Sequence, residues 1–186
     1  MVWWSSVSIP LAVRGYDTLR SCDRFGVAAA SCSDSRRLAP VSVDRSSIRV
    51  KAMIIAPNDV RTAHAVSVHA PTRENPDGFH RLIGGSVELG ERHVDTIRRE
   101  VREELGADVH DLALLTVVEN IFRIDGVLGH EIVFLYSGRL DPPPPATGAT
   151  LIEDDGARVP VVWRPLNDQD EQVPLYPSDV GSWVGK

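Results

Sequence analysis

One segment, residues 84–109, constrains this chain more than any other. It opens with two glycines, 84 and 85, and carries three glutamates, Glu100, Glu103 and Glu104, at helical spacing. Steps of three and four residues bring their carboxylates to one side of a helix, where they raise one another's pKa unless a cation lies between them. Such a cluster suits Mg²⁺ or Mn²⁺, which prefer oxygen ligands. Arginines lie between these glutamates, so a helix face that is merely charged and solvated is the alternative interpretation.

The residues around this segment predict strands packed on one helix. An apolar stripe predicts a helix over residues 92–105, with Gly106 as its C-cap. The stripe consists of Val94, Ile97, Val101 and Leu105. Strands are predicted at 47–55, 63–70, 79–83, 112–118, 130–140 and 159–163, and a short helix at 177–184. Strands around one strong helix indicate an α+β domain, layered as an α/β/α sandwich.

The first predicted strand marks where the domain is expected to begin. Its apolar positions alternate as Ile48, Val50, Ala52 and Ile54. Arg49 and Lys51 fall on the opposite face, so the strand is expected to be half-buried. A start at Met53, the only internal methionine, would cut this strand in half. We therefore expect a domain over 46–186 and an extension over 1–45.

Composition limits the partners of this chain. It has 186 residues, with 20 Lys+Arg against 26 Asp+Glu and a net charge of −6, which argues against coating polymeric nucleic acid or an anionic membrane. No run approaches the roughly 18 apolar residues of a membrane span. Two cysteines are too few for a disulfide framework. We expect a cytoplasmic protein.

The extension differs from the rest in charge. Residues 1–46 carry a net charge of +2 and are rich in Ser and Arg, which leaves −8 for the remainder. Pro10, Arg14 and Asp17 interrupt the apolar core that a signal peptide needs. An organelle transit peptide fits better, although four aspartates count against it. The interpretation we favour is a disordered extension, or one that arises from a start codon assigned too far upstream.

In full, the segment resembles the Nudix box, Gly-x5-Glu-x7-Arg-Glu-U-x-Glu-Glu-x-Gly-U, in which U is a bulky aliphatic residue. The matching residues are Gly85, Glu91, Arg99, Glu100, Val101, Glu103, Glu104, Gly106 and Ala107. Only the last of these, a small alanine, departs from the pattern. The resemblance covers the 23 residues of the box, and the flanking strands and the domain length agree with it.

This resemblance implies a fold and an activity. The implied fold is a mixed β-sheet between helices, with the box as a loop–helix–loop. The implied enzyme is a hydrolase, a pyrophosphatase that cleaves the diphosphate bond of a nucleoside diphosphate linked to another moiety X. It would use one to three divalent ions, Mg²⁺ or Mn²⁺. The expected partner is a small nucleotide, and a homodimer is possible because many members of the family form one.

The resemblance also implies a metal site. Glu100, Glu103 and Glu104 are the expected metal ligands, and Glu103 and Glu104 are also candidate catalytic residues. The main-chain carbonyl of Gly84 is expected to complete the metal shell. Gly85 is expected to bind substrate, because a glycine lets the backbone approach a phosphate without steric cost.

Other residues have expected supporting roles. Glu91, Arg99 and Gly106 are expected to be structural, with Arg99 orienting Glu91. Arg81 precedes the glycines by three residues and has two open interpretations, a phosphate ligand or an exposed strand residue.

The box does not identify the general base. Glu104 is one candidate, and Glu119, Glu131 and residues 153–155 are others. Glu131 lies in an apolar strand, where a glutamate usually has a partner, so a catalytic role in a pocket is open. The run 153–155 is interpreted first as a solvated turn.

The substrate class and two other functions remain open. A (d)NTP and an NDP-sugar are both tenable, because the chain lacks the subgroup signatures that would separate them. A catalytically silent, nucleotide-sensing Nudix-like module is the alternative, but such modules commonly lose box glutamates that this chain keeps. An isopentenyl diphosphate isomerase needs a cysteine in the core domain, whereas Cys22 and Cys32 both lie in the extension.

Overall fold

The computed structural model describes residues 47–153, 155–168 and 173–184. The strands are β1 (Arg49–Ile55), β2 (Ala63–His69), β3 (Phe79–Ser86), β4 (Asp108–Ile124), β5 (Val127–Asp141), β6 (Ala149–Ile152), β7 (Arg158–Pro165) and β8 (Leu175–Tyr176). One α-helix, α1 (His93–Leu105), follows β3, and a 3₁₀ helix (Ser178–Ser182) follows β8. The predicted extension, 1–45, lies outside the described residues.

The strands form one mixed sheet in the order β4-β5-β1-β3-β2-β7-β6, with β8 paired to β3. Strand β1 is parallel to β5 and antiparallel to β3. Strand β3 changes partners along its length, because residues 83–86 pair with β1 and residues 79–82 pair with β2. The predicted mixed sheet of an α+β fold is therefore confirmed.

Apolar side chains on the two faces of β1 enter two separate cores. Ala52 and Ile54 pack in the core that α1 covers, and Met53 and Ile55 pack in the core that contains Val180 of the 3₁₀ helix. The half-buried strand expected from the sequence is therefore wrong for residues 52–55, which are buried on both faces. The reason is that β1 is a central strand, parallel to one neighbour and covered from both sides.

Helix α1 spans almost the predicted range. Gly106 ends it in the left-handed conformation, with φ of 65°, and its N–H donates to the carbonyl of Arg102 at 3.0 Å. The apolar stripe faces the sheet, and Ile97 and Val101 are fully buried. Ala107, the small residue in the box pattern, is buried in the same core.

The hairpin of β4 and β5 is much longer than the predicted strands at 112–118 and 130–140. Asp125 and Gly126 form its two-residue turn, with φ of 50° and 81°, as a tight turn between twisted strands requires. Because β4 is the edge strand, polar side chains along it face solvent and break the apolar run on which the prediction relied.

The observed elements also differ slightly from the predicted ones near the glycine pair and the C-terminus. Strand β3 continues through Gly84 and Gly85 to Ser86 instead of ending at Ile83. The short strands β6 and β8 were not predicted, and the C-terminal helix is a 3₁₀ helix. Within the described part of the chain, no helix is long and apolar enough to cross a membrane.

His64 links the stability of the fold to pH. Its side chain is 1% exposed, and within the described residues neither ring nitrogen has a hydrogen-bond partner. Burial, followed by repulsion from Arg164, lowers the pKa of His64 from 6.5 to about 4. The unfolded state therefore binds this proton first, and stability is lost as the pH falls from about 6.5 towards 4.

We expect His64→Leu to weaken this acid dependence, because leucine takes up no proton in either state. The decrease in unfolding free energy between pH 6.5 and pH 4 should become smaller by about 2–3 kcal/mol. Urea denaturation at a series of pH values measures this decrease, with the exposed His110→Gln as the control. If the unfolding free energy of His64→Leu decreased with falling pH as much as that of the wild type, the lowered pKa of His64 would be contradicted.

Candidate active site

The centre of the site is the point at which β1, β3 and α1 come closest together. A Cβ atom on Gly84, whose φ is 133°, would lie 2.2 Å from the carbonyl oxygen of Ala52 on β1. A Cβ atom on Gly85 would lie 1.9 Å from Oε1 of Glu100 on α1. Only glycine fits at either position, and the carboxylate of Glu100 occupies the space that a side chain at residue 85 would fill.

Two of the three glutamates predicted as metal ligands enter a pocket at this point. Glu100 and Glu104, one helical turn apart, are buried at 4% and 8% exposure. They line a cleft, here called the carboxylate pocket, together with residues of β1, β2, β3 and the segment after β6. Its other lining residues are Lys51, Ser67, His69, Arg81, Leu82, Ile83, Gly84, Gly85, Ser86, Leu151 and Glu153.

The third glutamate, Glu103, lies outside the lining of the carboxylate pocket. Its carboxylate is 54% exposed and accepts a hydrogen bond from Arg99 at 3.1 Å. Arg99 also contacts Glu100 at 3.1 Å and donates to the backbone carbonyl of Ser86. Glu103 is therefore paired with Arg99 outside the pocket that Glu100 and Glu104 enter.

Arg99 is the structural link of the box, as its expected role suggests. Its Nε and Nη2 donate to the two carboxylate oxygens of Glu91 at 2.9 and 3.1 Å. These bonds lower the pKa of Glu91 to about 2, and the same carboxylate raises the pKa of Arg99. Glu91 also accepts from Thr96 on the first turn of α1. The loop before the helix is thereby tied to the helix.

Glu131 binds two arginines and an amide. Its Oε1 accepts from Arg49 at 2.8 Å and from Arg81 at 3.3 Å, and its Oε2 accepts from the side chain of Asn120 at 3.1 Å. The carboxylate is 1% exposed. With both oxygens engaged by donors, Glu131 is placed to orient guanidinium groups, and a water molecule has little access to it.

A second cleft adjoins the first. This aromatic pocket is lined by Arg49, His69, Asn75, Phe79, Arg81, Asn120, Phe122, Arg123, Ile124, Glu131 and Tyr176. The ring of Phe79 stacks on His69 at 4.8 Å and meets Tyr176 edge-on at 5.5 Å. His69 and Arg81 line both pockets, so the two clefts meet at these side chains.

The remaining predicted residues lie in different surroundings. Glu119 is 61% exposed and pairs with His130 on the hairpin. Glu153 lies in a turn, where its N–H donates to the carbonyl of Ala157, but it also lines the carboxylate pocket. Trp163 packs against the core beneath α1 and donates to the carbonyl of Pro145, outside both pockets.

Lys51 is the residue of the site that the sequence pattern misplaced. The alternation put it on a polar strand face, but it is 8% exposed and lines the carboxylate pocket. One signal was available in the sequence, because the chain uses lysine only at positions 51 and 186 among its 20 basic residues. The amides and aromatic rings of the second pocket carry no comparable signal.

The donors of the carboxylate pocket fit a divalent cation. Two buried carboxylates supply oxygen ligands, and the absent side chain at Gly85 leaves the space that Glu100 occupies. Over the described ranges no three His, Cys, Asp or Glu side chains converge closely enough to form a complete metal cage. Mg²⁺ commonly binds through one or two carboxylates and completes its shell with water and substrate phosphates.

The family model described as NUDIX domain matches residues 48–179. The chain therefore belongs to the NUDIX family.

One solved structure shows the same fold, and two others are similar to a smaller share of this chain. The MutT NUDIX hydrolase from Burkholderia pseudomallei superposes with a TM-score of 0.57 at 21% identity, covering 76% of this chain and all of that one. MutT from Aliivibrio salmonicida and Vibrio cholerae gives a TM-score of 0.43 at 18% identity, over 66% of this chain and 83% of that chain. A NUDIX hydrolase from Nitrosomonas europaea gives 0.45 at 16%, over 65% and 74%. No curated protein matches the sequence.

We expect Gly85→Ala to destabilise the fold at the carboxylate pocket. The new methyl group would lie 1.9 Å from Glu100, so either β3 or the carboxylate must move. The unfolding free energy should fall by about 1–3 kcal/mol, as for other overpacked positions. Chemical denaturation measures the change. Gly181→Ala is the control, because no atom lies within 4 Å of a Cβ there; equal stability of the two variants would contradict the close packing.

Proposed function

We propose that the chain is a divalent-metal-dependent hydrolase of a nucleoside diphosphate linked to another moiety, of the (d)NTP or NDP-sugar class. The observation that carries this proposal is the pair of buried carboxylates, Glu100 and Glu104, in a pocket that also presents Arg81. Carboxylate oxygens are ligands that Mg²⁺ and Mn²⁺ prefer, and a diphosphate needs several positive charges around it. A pocket that contains both kinds of group suits a metal–diphosphate complex.

The metal would be Mg²⁺ or Mn²⁺, held by Glu100 and Glu104 with the carbonyl of Gly84 in the same pocket. When bound, it would neutralise charge on the diphosphate oxygens and acidify the attacking water. Glu103 remains a predicted ligand, but it is exposed and paired with Arg99, so its replacement is expected to cost less activity than that of the other two.

The nucleoside is assigned to the aromatic pocket. The rings of Phe122 and Tyr176 line it and offer surfaces on which a base can stack. Arg81 lies where the two pockets meet, and Glu131 holds its guanidinium there at 3.3 Å. A nucleotide whose base stacks on the aromatic rings would thus place its phosphates beside Arg81 and near the carboxylates.

Glu153 is the general base that the geometry favours among the predicted carboxylates. Glu119 is outside both pockets, and the carboxylate of Glu131 is engaged by donors. Glu153 lines the carboxylate pocket from a different element than Glu104. Water attacks one phosphorus as the bond from that phosphorus to the bridging oxygen breaks. The water proton passes to Glu153, and the bridging oxygen leaves with the second phosphate group.

A substrate panel tests the proposed function. The full chain would be incubated with (d)NTPs, ADP-ribose, NDP-sugars, NADH and dinucleoside polyphosphates, with Mg²⁺, with Mn²⁺ and with a chelator. We expect cleavage of one class that the chelator abolishes. Nucleotide binding without cleavage of any compound would instead favour the silent sensing module. The cytoplasmic location and the homodimer stay predictions.

We expect Glu100→Gln and Glu104→Gln to lower kcat by about 100- to 10,000-fold, because the loss of a metal ligand removes several kcal/mol of transition-state stabilisation. Steady-state kinetics on the substrate found in the panel measure this loss. Glu119→Gln is the matched control on the exposed hairpin and should retain full activity. Wild-type rates in both pocket variants would eliminate the carboxylate pair as metal ligands.

Glu153→Gln should lower kcat by about 100-fold or more, because the amide accepts no proton from the attacking water. The KM should change little. Steady-state kinetics at saturating metal separate this effect from weaker metal binding. A wild-type kcat in the variant would mean that the base is another group.

A further inference from the structure

Lys51 is a buried cation that lines the carboxylate pocket. Its side chain is 8% exposed, and among the described residues its ammonium group makes no hydrogen bond or close ion pair. Burying an ammonium without a partner costs free energy. Eighteen of the 20 basic residues are arginines, so lysine is an unusual choice here. The ammonium lines the same pocket as Glu100 and Glu104.

Two arginines and two glutamates act on the charge of Lys51, so these neighbours balance one another and leave the charge of the ammonium itself uncompensated. Arg49 and Arg81 share a single carboxylate, that of Glu131. Burial, followed by repulsion from Arg81, lowers the pKa of Lys51 to about 8, while Glu131 and Glu100 act in the opposite direction. The group is still mostly protonated at pH 7. An anion in the pocket would relieve the repulsion between these cations.

The order of the two pockets indicates which part of a ligand reaches Lys51. Phe122 and Tyr176 line the aromatic pocket, Lys51 lines the carboxylate pocket, and Arg81 and His69 are common to both. A nucleotide that spans both pockets therefore brings the end of its phosphate chain towards Lys51. In an NDP-sugar a sugar stands at this end of the ligand, and it would contact the desolvated ammonium of Lys51 instead of neutral polar groups.

We propose that Nζ of Lys51 binds the terminal phosphate of the substrate, so that this site prefers nucleoside triphosphates over NDP-sugars. This inference rests on the proposed hydrolase site and narrows its substrate class. Lysine suits the task because its ammonium is a compact charge with three donors, which can follow a tetrahedral phosphate group. The triphosphate carries about two more negative charges than an NDP-sugar, and Lys51 and Arg81 match them.

Amine labelling tests the contact without any variant. The chain has two lysines besides its terminal amine, so acetylation of Lys51 and Lys186 can be followed separately by peptide mass spectrometry. Inorganic pyrophosphate with Mg²⁺ is the probe for the phosphate end, and UDP-glucose with Mg²⁺ is the comparison. We expect pyrophosphate to slow the acetylation of Lys51 about tenfold or more, with little effect on Lys186. Equal rates at Lys51 with and without pyrophosphate would overturn the proposal.

Kinetics of Lys51→Met test the preference. We expect kcat/KM for nucleoside triphosphates to fall about 10- to 100-fold, the range for loss of a charged hydrogen bond, and to fall less than threefold for NDP-sugars. Lys186→Met is the control with the same change of charge. An equal loss for both substrate classes, or none for triphosphates, would overturn the proposal.

The two experiments separate the inference from the function on which it rests. If pyrophosphate protects Lys51 but no compound is hydrolysed, the proposed function fails while the phosphate contact stands. If triphosphates are hydrolysed and Lys51 is labelled at the same rate throughout, the function stands and the role of Lys51 fails.

Discussion

The architecture of the site depends on two glycines that allow three elements to touch. At Gly84 the backbone of β3 lies against β1, and at Gly85 it lies against a carboxylate of α1. A methyl group at either position would overlap its neighbour, so the strand and the helix would separate. Because the helix is held this close, Glu100 is buried beside the backbone of β3 and not exposed to solvent like Glu103. The pocket exists because of this contact.

Charge is distributed around that contact in two networks. Arg99 joins Glu91, Glu100 and Glu103, and so ties the loop before α1 to its acidic face. Glu131 joins Arg49 and Arg81 on the other side of the cleft. In each network the charges of arginines and glutamates compensate one another, which lowers the free-energy cost of burying them. Lys51 and Glu153 also line the pocket, and we assign them direct roles in substrate binding and proton transfer.

The local elements were the predictable part of the fold. The stripe that includes Ile97 and Val101 predicted α1 within a residue, and Gly106 predicted its end, because helix periodicity and capping are properties of neighbouring residues. The Asp125-Gly126 turn was predictable for the same reason. The lengths of β4 and β5 were not, since an edge hairpin is extended by pairing between strands and not by an apolar run. The short strand β8 depends likewise on its partner, β3.

By itself, the sequence determined the family, the mixed α+β fold and the carboxylate cluster of the box, because these depend on residue types at fixed spacing along one segment. Only the tertiary structure decided which members of that cluster face the pocket. In the structure Glu103 pairs with Arg99, and Glu131 binds two arginines. Glu153 and Lys51 line the pocket of the carboxylates from elements that are distant in sequence. The physical reason is that burial and pairing depend on packing between elements, and a linear pattern does not record which elements meet.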